Sequence, residues 1–376
     1  MAGLSRDTGP WWLGWLLYGH LAVAVFIVVS GFSLALAPLR DDGVLRGGAR
    51  RFFRRRAWRI LPAYWAALIV STLITASLLH PHLGSAETAK ALVVHGVLLQ
   101  DLIGSATPNG AFWSIAVEWQ IYFLFPVILW LGRRRSIETA VALAVVAALI
   151  AHGVAGLGSP LSKIDGLTPQ FLALFALGVL AVKLGRAGAD LRVRRPLCVL
   201  ALVAFIVFVV AAIAEGSAWM VDRYFYVDLI FGVAVACVLC VLFTGGVPAA
   251  RRILASPPSL RLGLFSYSIY LIHGPIVIAL NEHAIAALDI TAPARFALLV
   301  VVGLPLILVL SYVFHRLFEA PFLRHRDIRA LRDLPVIGLI LRRPRTTAVR
   351  PSVVPSAASS RRAAGCVASR RHRTGR

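Results

Sequence analysis

The chain has 376 residues, of which 59% are hydrophobic and 15% are charged, and its formal net charge is +22. Soluble domains carry about 25% charged residues, so this composition excludes an ordinary soluble fold and indicates several membrane spans. The basic residues lie in connecting segments and in the C-terminal tail, as in membrane proteins, and the charge therefore does not indicate nucleic-acid binding.

Apolar segments of roughly 17–25 residues recur along the chain, each long enough to cross a bilayer. They predict an all-α, polytopic membrane helix bundle with about nine transmembrane helices. The predicted spans are 14–38, 60–80, 112–132, 137–157, 168–184, 196–215, 226–244, 262–285 and 294–317.

Every second connection is rich in Arg or Lys, which predicts its side of the membrane. The segments expected to face the cytoplasm are 39–59, 133–136, 185–195 and 245–261. The same alternation predicts a cytoplasmic C-terminus in the plasma membrane and an outer start for the first span. Residues 86–102 have helical periodicity and are expected at the outer interface.

Three segments organise the chain: a short N-terminal segment at 1–13, a transmembrane domain at 14–322, and a basic, mostly disordered tail at 323–376. Residues 1–12 lack the apolar core of a signal peptide. An outer start without a leader predicts that the complete protein has one more helix upstream.

An arginine cluster runs directly into the second span, with Pro62 expected in the first helical turn. Its members are Arg51, Arg54, Arg55, Arg56 and Arg59. Guanidinium groups bind phosphate oxygens in pairs, so the cluster predicts a phosphate-binding surface. The alternative is that the arginines only fix the topology.

The third span carries an acidic group. Ser114 and Glu118 are four residues apart and share a helix face. A carboxylate roughly 9 Å into a membrane helix is costly and usually functional. The alternative is a structural carboxylate bonded to a neighbouring helix.

Two of the histidines in predicted spans are candidate polar sites. His273 is expected near mid-membrane, before a Gly274-Pro275 pair that predicts a kink beside a cavity. A hydrogen-bonding strut is the alternative for His273. His20, near the outer end of the first span, is expected to be interfacial, whereas Ser30 and Gly31 are small enough for close helix contact.

Two features have plain structural interpretations. Glu319, at the end of the last span, is expected to pair with a loop arginine. Cys237 and Cys240 are expected to pack in the membrane, because no His or carboxylate lies near them in sequence. The sequence shows no metal-binding spacing and no disulfide framework.

Taken in order, these segments resemble the membrane-bound acyltransferase family 3, whose members O-acylate bacterial surface glycans and secreted products. The resemblance covers about 14–322. The matching segments are Ser30-Gly31-Phe32, Arg56 to Tyr64, Trp113-Ser114 to Glu118, Ser266-Tyr267-Ser268 to His273, and Glu319-Ala320-Pro321.

The resemblance implies an integral membrane enzyme that moves an acyl group, expected to be acetyl, from cytoplasmic acyl-CoA to a hydroxyl. The acceptor would be a surface glycan, a glycolipid or a secreted metabolite. No metal is implied. The residues expected to bind acyl-CoA are Arg55, Arg56, Arg59 and Tyr64, and those expected in catalysis are Ser114, Glu118 and His273.

The chain departs from the family pattern at its start. The family has ten helices, and its first carries an arginine and, after ten residues, a histidine thought to be the general base. Here Arg6 has Leu17 at that spacing, His20 has Gly9, and Ala24 occupies the acidic position of the second helix. The expectation is a misplaced start codon, or else a truncated, inactive homologue. Residues 1–376 alone are then expected to transfer acyl groups near background.

A transporter or exporter is the other class that the residues allow. In that case Glu118 and His273 would form a proton relay, and the arginines would serve topology. Against it, the sequence shows no internal repeat and no paired broken helices.

Overall fold

The structure is a computed structural model that describes residues 18–79, 84–187, 191–288 and 290–324. In these ranges, nine helical segments are long and apolar enough to cross a membrane, which confirms the all-α polytopic class. The N-terminal segment 1–13 and the tail beyond 324 lie outside the described residues.

The helices are numbered along the chain. They are α1 Gly19–Ala35, α2 Gly48–Ile74, α3 Ser85–Gly96, α4 Gln100–Ile103, α5 Phe112–Arg134, α6 Ile137–Ala155, α7 Gln170–Ala187, α8 Leu191–Asp222, α9 Tyr224–Phe243, α10 Pro248–Leu254, α11 Pro257–Ala279, α12 Ala292–Leu298, α13 Leu304–Phe314 and α14 Ala320–Arg324. Short π-helical turns extend α2 and α11 and join α12 to α13 and α13 to α14.

Helix α2 begins at Gly48, well before the predicted span at 60–80, so the arginine cluster is helical. Pro62 therefore lies in the helix interior, and the prediction that it occupies the first turn is wrong. The physical reason is packing, because the rings of Phe52 and Phe53 contact α5 through Phe125 and Phe123. This burial gives the basic segment an apolar face that keeps it helical.

Helix α11 continues through Pro275, and its one residue with non-helical backbone angles is Phe265, with φ −120° and ψ 16°. The kink predicted at Gly274-Pro275 stays a prediction. Proline removes the N–H that would bond the Leu271 carbonyl. The side chain of Asn109 donates to that carbonyl at 2.7 Å and replaces the missing bond. Gly274 leaves room for this contact, since a β-carbon there would lie 2.8 Å from Asn109 Oδ1.

The basic connections gather at one end of the bundle, called here the arginine end. Gly43 lies against the side chain of Arg133, and Arg194 donates to the Thr244 carbonyl at 2.8 Å. The opposite end, called the histidine end, holds the first residues of α1, α5, α7 and α9. The long helices thus alternate in direction, which agrees with the charge pattern.

Helices α1 and α7 cross at very short range. A β-carbon on Gly31 would lie 2.1 Å from the Phe175 carbonyl oxygen, and one on Gly178 would lie 2.1 Å from that of Val28. Only glycine fits such an approach, which confirms the predicted close contact at Gly31. Because α1 carries both Ser30 and His20, this crossing positions groups at both ends of the bundle.

Candidate active site

A cavity of about 370 Å³ opens at the arginine end, between the start of α2 and the end of α1. Its lining residues include Arg55, Arg56 and Arg59 of α2, Leu34 of α1, and Arg46 from the connection. Three of the five arginines predicted to form a phosphate-binding surface are thus grouped around one space, and they are the same three that were expected to bind acyl-CoA. The arrangement matches the paired hydrogen bonds that phosphate groups accept from arginine.

Arg46 is already engaged within this cavity. Its guanidinium donates to both carboxylate oxygens of Asp41, from Nε at 2.5 Å and from Nη2 at 2.7 Å. The hydrogen bond from Arg46 holds the pKa of Asp41 below its usual value. By contrast, Arg55 and Arg59 are exposed and donate no hydrogen bond to another described residue, so they can bind an incoming anion.

Arg56 points from the cavity toward the centre of the bundle. Its guanidinium carbon lies 6.0 Å from the ring centroids of both Phe52 and Tyr122. Aromatic faces attract a guanidinium cation and orient it. The half-buried Arg56 thus connects the open cavity with the polar group behind it.

That polar group is Glu118, of which only 4% is exposed. Its Oε1 accepts hydrogen bonds from Ser30 of α1 at 2.7 Å and from Tyr122, one turn later on α5, at 2.5 Å. Buried carboxylates need such donors, because an unpaired charge at this depth is strongly destabilising. The bond from Ser30 is also the contact to a neighbouring helix that the structural interpretation of Glu118 expected.

Ser114 is fully buried on the same helix but faces a different partner. Its hydroxyl lies 2.5 Å from the hydroxyl of Tyr270 on α11. Ser114 therefore joins α5 to α11, whereas Glu118 joins α5 to α1. The shared face predicted from the spacing is present, yet no hydrogen bond connects these two side chains.

His273 is half-buried on α11, and its Nδ1 donates to the carbonyl of Tyr270 at 2.8 Å. A backbone carbonyl can only accept, so the proton lies on Nδ1. In the described chain, His273 has no hydrogen bond to Glu118 or Ser114. Its predicted catalytic role stays a prediction.

Tyr64 is fully buried and does not line the arginine cavity. Its hydroxyl donates to the His95 carbonyl at 3.0 Å, and the neighbouring Trp65 indole donates to the Gly96 carbonyl at 2.9 Å. These bonds hold the end of α3 against α2. Tyr64 thus lies outside the arginine cavity, and its predicted contact with acyl-CoA stays a prediction.

Among the described residues, Glu319 pairs with a histidine and a serine rather than with the expected arginine. Its Oε2 accepts from Ser268 at 2.5 Å and is bonded to His315 Nδ1 at 2.9 Å. The helix turn explains the change, since His315 lies four residues before Glu319 on the same helical face. The Ser266–His273 and Glu319–Pro321 motifs thus meet at Ser268 and Glu319.

A polar cluster at the histidine end went unrecognised in the sequence. His20 Nε2 lies 2.9 Å from Asp228 Oδ2, and Gln170 donates to the same oxygen at 3.1 Å. Asp228 is fully buried, and the His20 side chain is 16% exposed. The His20 side chain is therefore largely enclosed by its neighbours, and its predicted place at the membrane interface stays a prediction. Asp228 could have signalled this, because it is a carboxylate within a predicted span.

A second cavity, of about 300 Å³, lies beside the end of α2 that is opposite the arginine cluster. Threonine hydroxyls dominate its polar lining, from Thr72, Thr75, Thr88 and Thr107. Thr72 is 8% exposed and its hydroxyl has no hydrogen-bond partner among the described residues. Such a space suits a neutral, hydroxyl-bearing group, since the lining residues in the described part of the chain are uncharged.

Comparison with known proteins gives the family. The family model described as an acyltransferase domain, Acyl_transf_3, matches residues 2–316. Acyltransferase MdmB of Streptomyces mycarofaciens is 27% identical over 278 residues, covering 69% of this chain and 68% of that protein. No solved structure matches.

Shorter matches lie within larger proteins. A putative peptidoglycan O-acetyltransferase, YrhL of Bacillus subtilis, is 29% identical over 36% of this chain and 23% of its own length. A putative O-acetyltransferase of Staphylococcus aureus, SACOL0978, is 32% identical over 31% of this chain and 21% of its own length. With the family match spanning most of the chain and its helical bundle, the protein belongs to acyltransferase family 3.

Proposed function

We propose that this acyltransferase moves an acyl group, acetyl in the first instance, from acyl-CoA to a hydroxyl of a surface glycan, a glycolipid or a secreted metabolite. The observation that carries the proposal is the arginine cavity, which leads through Arg56 toward the buried Glu118. In this proposal the enzyme lies in the plasma membrane. Its arginine end and C-terminus face the cytoplasm, as the positive-inside rule favours.

The positive charge of the cavity supports acyl-CoA as the donor. Coenzyme A carries phosphate groups at one end and the thioester at the other, joined by a long chain. Arg55 and Arg59 line the cavity without carboxylate partners among the described residues. Phosphates bound there would leave the chain free to enter the bundle past Arg56.

Glu118 has a positioning role in this proposal. Both hydroxyls that reach it bind the same oxygen, from opposite sides of the α1–α5 contact. The carboxylate therefore fixes Ser30 and Tyr122, and the Tyr122 ring supports Arg56. In this way Glu118 shapes the inner wall of the donor path.

The acceptor half rests on the threonine-lined cavity. It lies about 20 Å from Arg59 along α2, at 1.5 Å per residue between Arg59 and Thr72. A neutral, hydroxyl-rich group fits its lining. One relative is named a putative peptidoglycan O-acetyltransferase, which favours a glycan hydroxyl.

The test uses the full chain in proteoliposomes. Acetyl-CoA is supplied on one side with a mixture of methyl glycosides as hydroxyl probes, and the released thiol is measured. Arg59→Ala is expected to raise the KM for acetyl-CoA about tenfold or more, because each lost charge-assisted bond costs roughly 1.5–3 kcal/mol.

Arg54→Ala is the matched control, since Arg54 is exposed on the same helix but does not line the cavity. Its KM is expected to stay at the wild-type value. Equal KM values for the two folded variants would remove the cavity from the donor site. No thiol release by the wild-type protein would overturn the proposed activity.

A further inference from the structure

His20 lies in an aromatic slot at the histidine end of the bundle. Its ring stacks on Tyr224 with centroids 4.0 Å apart and on Trp113 with centroids 5.2 Å apart. The interplanar angles are 15° and 6°. Together with Asp228, these contacts hold the imidazole in one plane.

The hydrogen bonds define which nitrogen carries the proton. Gln170 donates its amide N–H to Asp228 Oδ2, which marks this oxygen as an acceptor. His20 Nε2, bonded to the same oxygen, is therefore the donor. Neutral His20 then has its lone pair on Nδ1, which has no hydrogen-bond partner among the described residues.

We propose that His20 is the general base of acyl transfer and that Asp228 is its positioning residue. This assignment rests on the proposed function. A buried carboxylate that fixes the tautomer and stabilises the protonated ring is the arrangement that makes imidazole an effective base.

The proposed step balances as follows. His20 Nδ1 takes the proton of the acceptor hydroxyl while the hydroxyl oxygen forms a bond to the thioester carbonyl carbon. The carbon–sulfur bond then breaks, and the sulfur leaves as the thiolate of coenzyme A. The imidazolium returns its proton to that sulfur, giving the ester and the free thiol.

The position of His20 agrees with a donor that enters from the arginine end. Leu34 lines the arginine cavity on α1, and His20 lies on the same helix about 20 Å away at 1.5 Å per residue. The phosphates and the thioester of coenzyme A lie at opposite ends of the molecule. The acyl group would therefore meet its base far from the phosphates.

Two other histidines lack this combination. His152 also pairs with an aspartate, at 3.0 Å from Asp165, but their side chains are 31% and 49% exposed. Its ring stacks on Phe225 with centroids 3.9 Å apart. His152 therefore has the same kinds of contact as His20 but is more exposed. His273 has a backbone carbonyl in place of a carboxylate partner.

The experiment measures thiol release from acetyl-CoA by the full chain in proteoliposomes, with methyl glycosides as hydroxyl probes. His20→Ala is expected to lower kcat by about 10²–10⁴-fold, the usual contribution of a general base. The KM for acetyl-CoA should stay unchanged. Added imidazole should restore part of the rate, because it can stack on Trp113 and Tyr224 as the His20 ring does.

His20→Gln keeps a hydrogen-bond donor for Asp228 and serves as the second variant if His20→Ala does not fold. It should be as slow as His20→Ala but gain nothing from imidazole. Asp228→Asn should lower kcat with KM unchanged. His152→Gln is the matched control and should retain the wild-type rate.

Outcomes separate the two proposals. A wild-type kcat in folded His20→Gln, or a loss that imidazole does not repair in folded His20→Ala, would overturn the role of His20 while leaving the donor site intact. No thiol release by the wild-type chain would overturn the proposed function. In that event, diethyl pyrocarbonate labelling read by mass spectrometry decides on His20: faster modification than at His152 supports an accessible basic Nδ1, and no modification refutes it.

Discussion

The two ends of helix α1 carry different kinds of polar site. At the arginine end, several cations surround an open cavity, and in the proposed function they would share the binding energy for the phosphates of acyl-CoA. At the histidine end, a single imidazole is held by one buried carboxylate between two aromatic rings. Removing one of several binding groups weakens binding only in part, whereas removing the single proton acceptor abolishes proton transfer. The first end should therefore govern KM and the second kcat.

Gly31→Ala should have the largest effect, because it should change KM and kcat together. The new methyl group would meet the Phe175 carbonyl oxygen, so α1 must move away from α7. Because α1 carries both Ser30 and His20, kcat and KM should deteriorate together. The expected loss of stability is about 1–3 kcal/mol, as for overpacked sites, and thermal unfolding in detergent measures it.

Gly153→Ala on α6 is the control for this variant, since a β-carbon there meets nothing within 4 Å. It should unfold at the wild-type temperature or slightly above, because alanine favours the helix. An unaltered thermal transition and normal kinetics in Gly31→Ala would contradict the close α1–α7 crossing.

Arg59→Lys should have an intermediate effect that is confined to the arginine end. Lysine keeps the charge but cannot offer a planar pair of donors to phosphate. The KM for acetyl-CoA should rise, by less than in Arg59→Ala, and kcat should stay constant. A change in kcat with constant KM would mean that the arginine end takes part in the chemical step.

Asp101→Asn should affect neither end and have the smallest effect. Burial raises the pKa of Asp101 to about 6. The folded chain thus holds this proton more tightly than the unfolded chain, and stability falls as the pH rises from about 4 through 6. Asparagine has no charge to bury, so the variant should be more stable at pH 7.5, by about 1 kcal/mol or less for a half-buried group.

The measurement is the thermal transition of both proteins at pH 4.5 and pH 7.5. The difference between them should be small at the lower pH and larger at the higher pH. A gain of equal size at both pH values would show that ionisation of Asp101 is not its cause. Acyl transfer should be unchanged, since in the described chain Asp101 neither lines the arginine cavity nor touches His20.

The sequence by itself determined the class of the fold. Apolar segments of spanning length and basic residues in alternate connections require an all-α membrane bundle, because lipid cannot satisfy exposed backbone groups. The close approach at Gly31 also followed from residue size. The arginine cluster could be recognised as one group because its members are neighbours along the chain.

Only the tertiary structure decided which polar residues meet. Ser114 and Glu118 share a helix face, yet the neighbouring helices draw them to Tyr270 and Ser30. His20 and Asp228 are 208 positions apart, and no local pattern connects them. Helical periodicity reports which side of a helix a residue occupies, but the packing of α1 against α9 decides its partner. For this reason the histidine at the edge of the first span became a candidate base only in the folded chain.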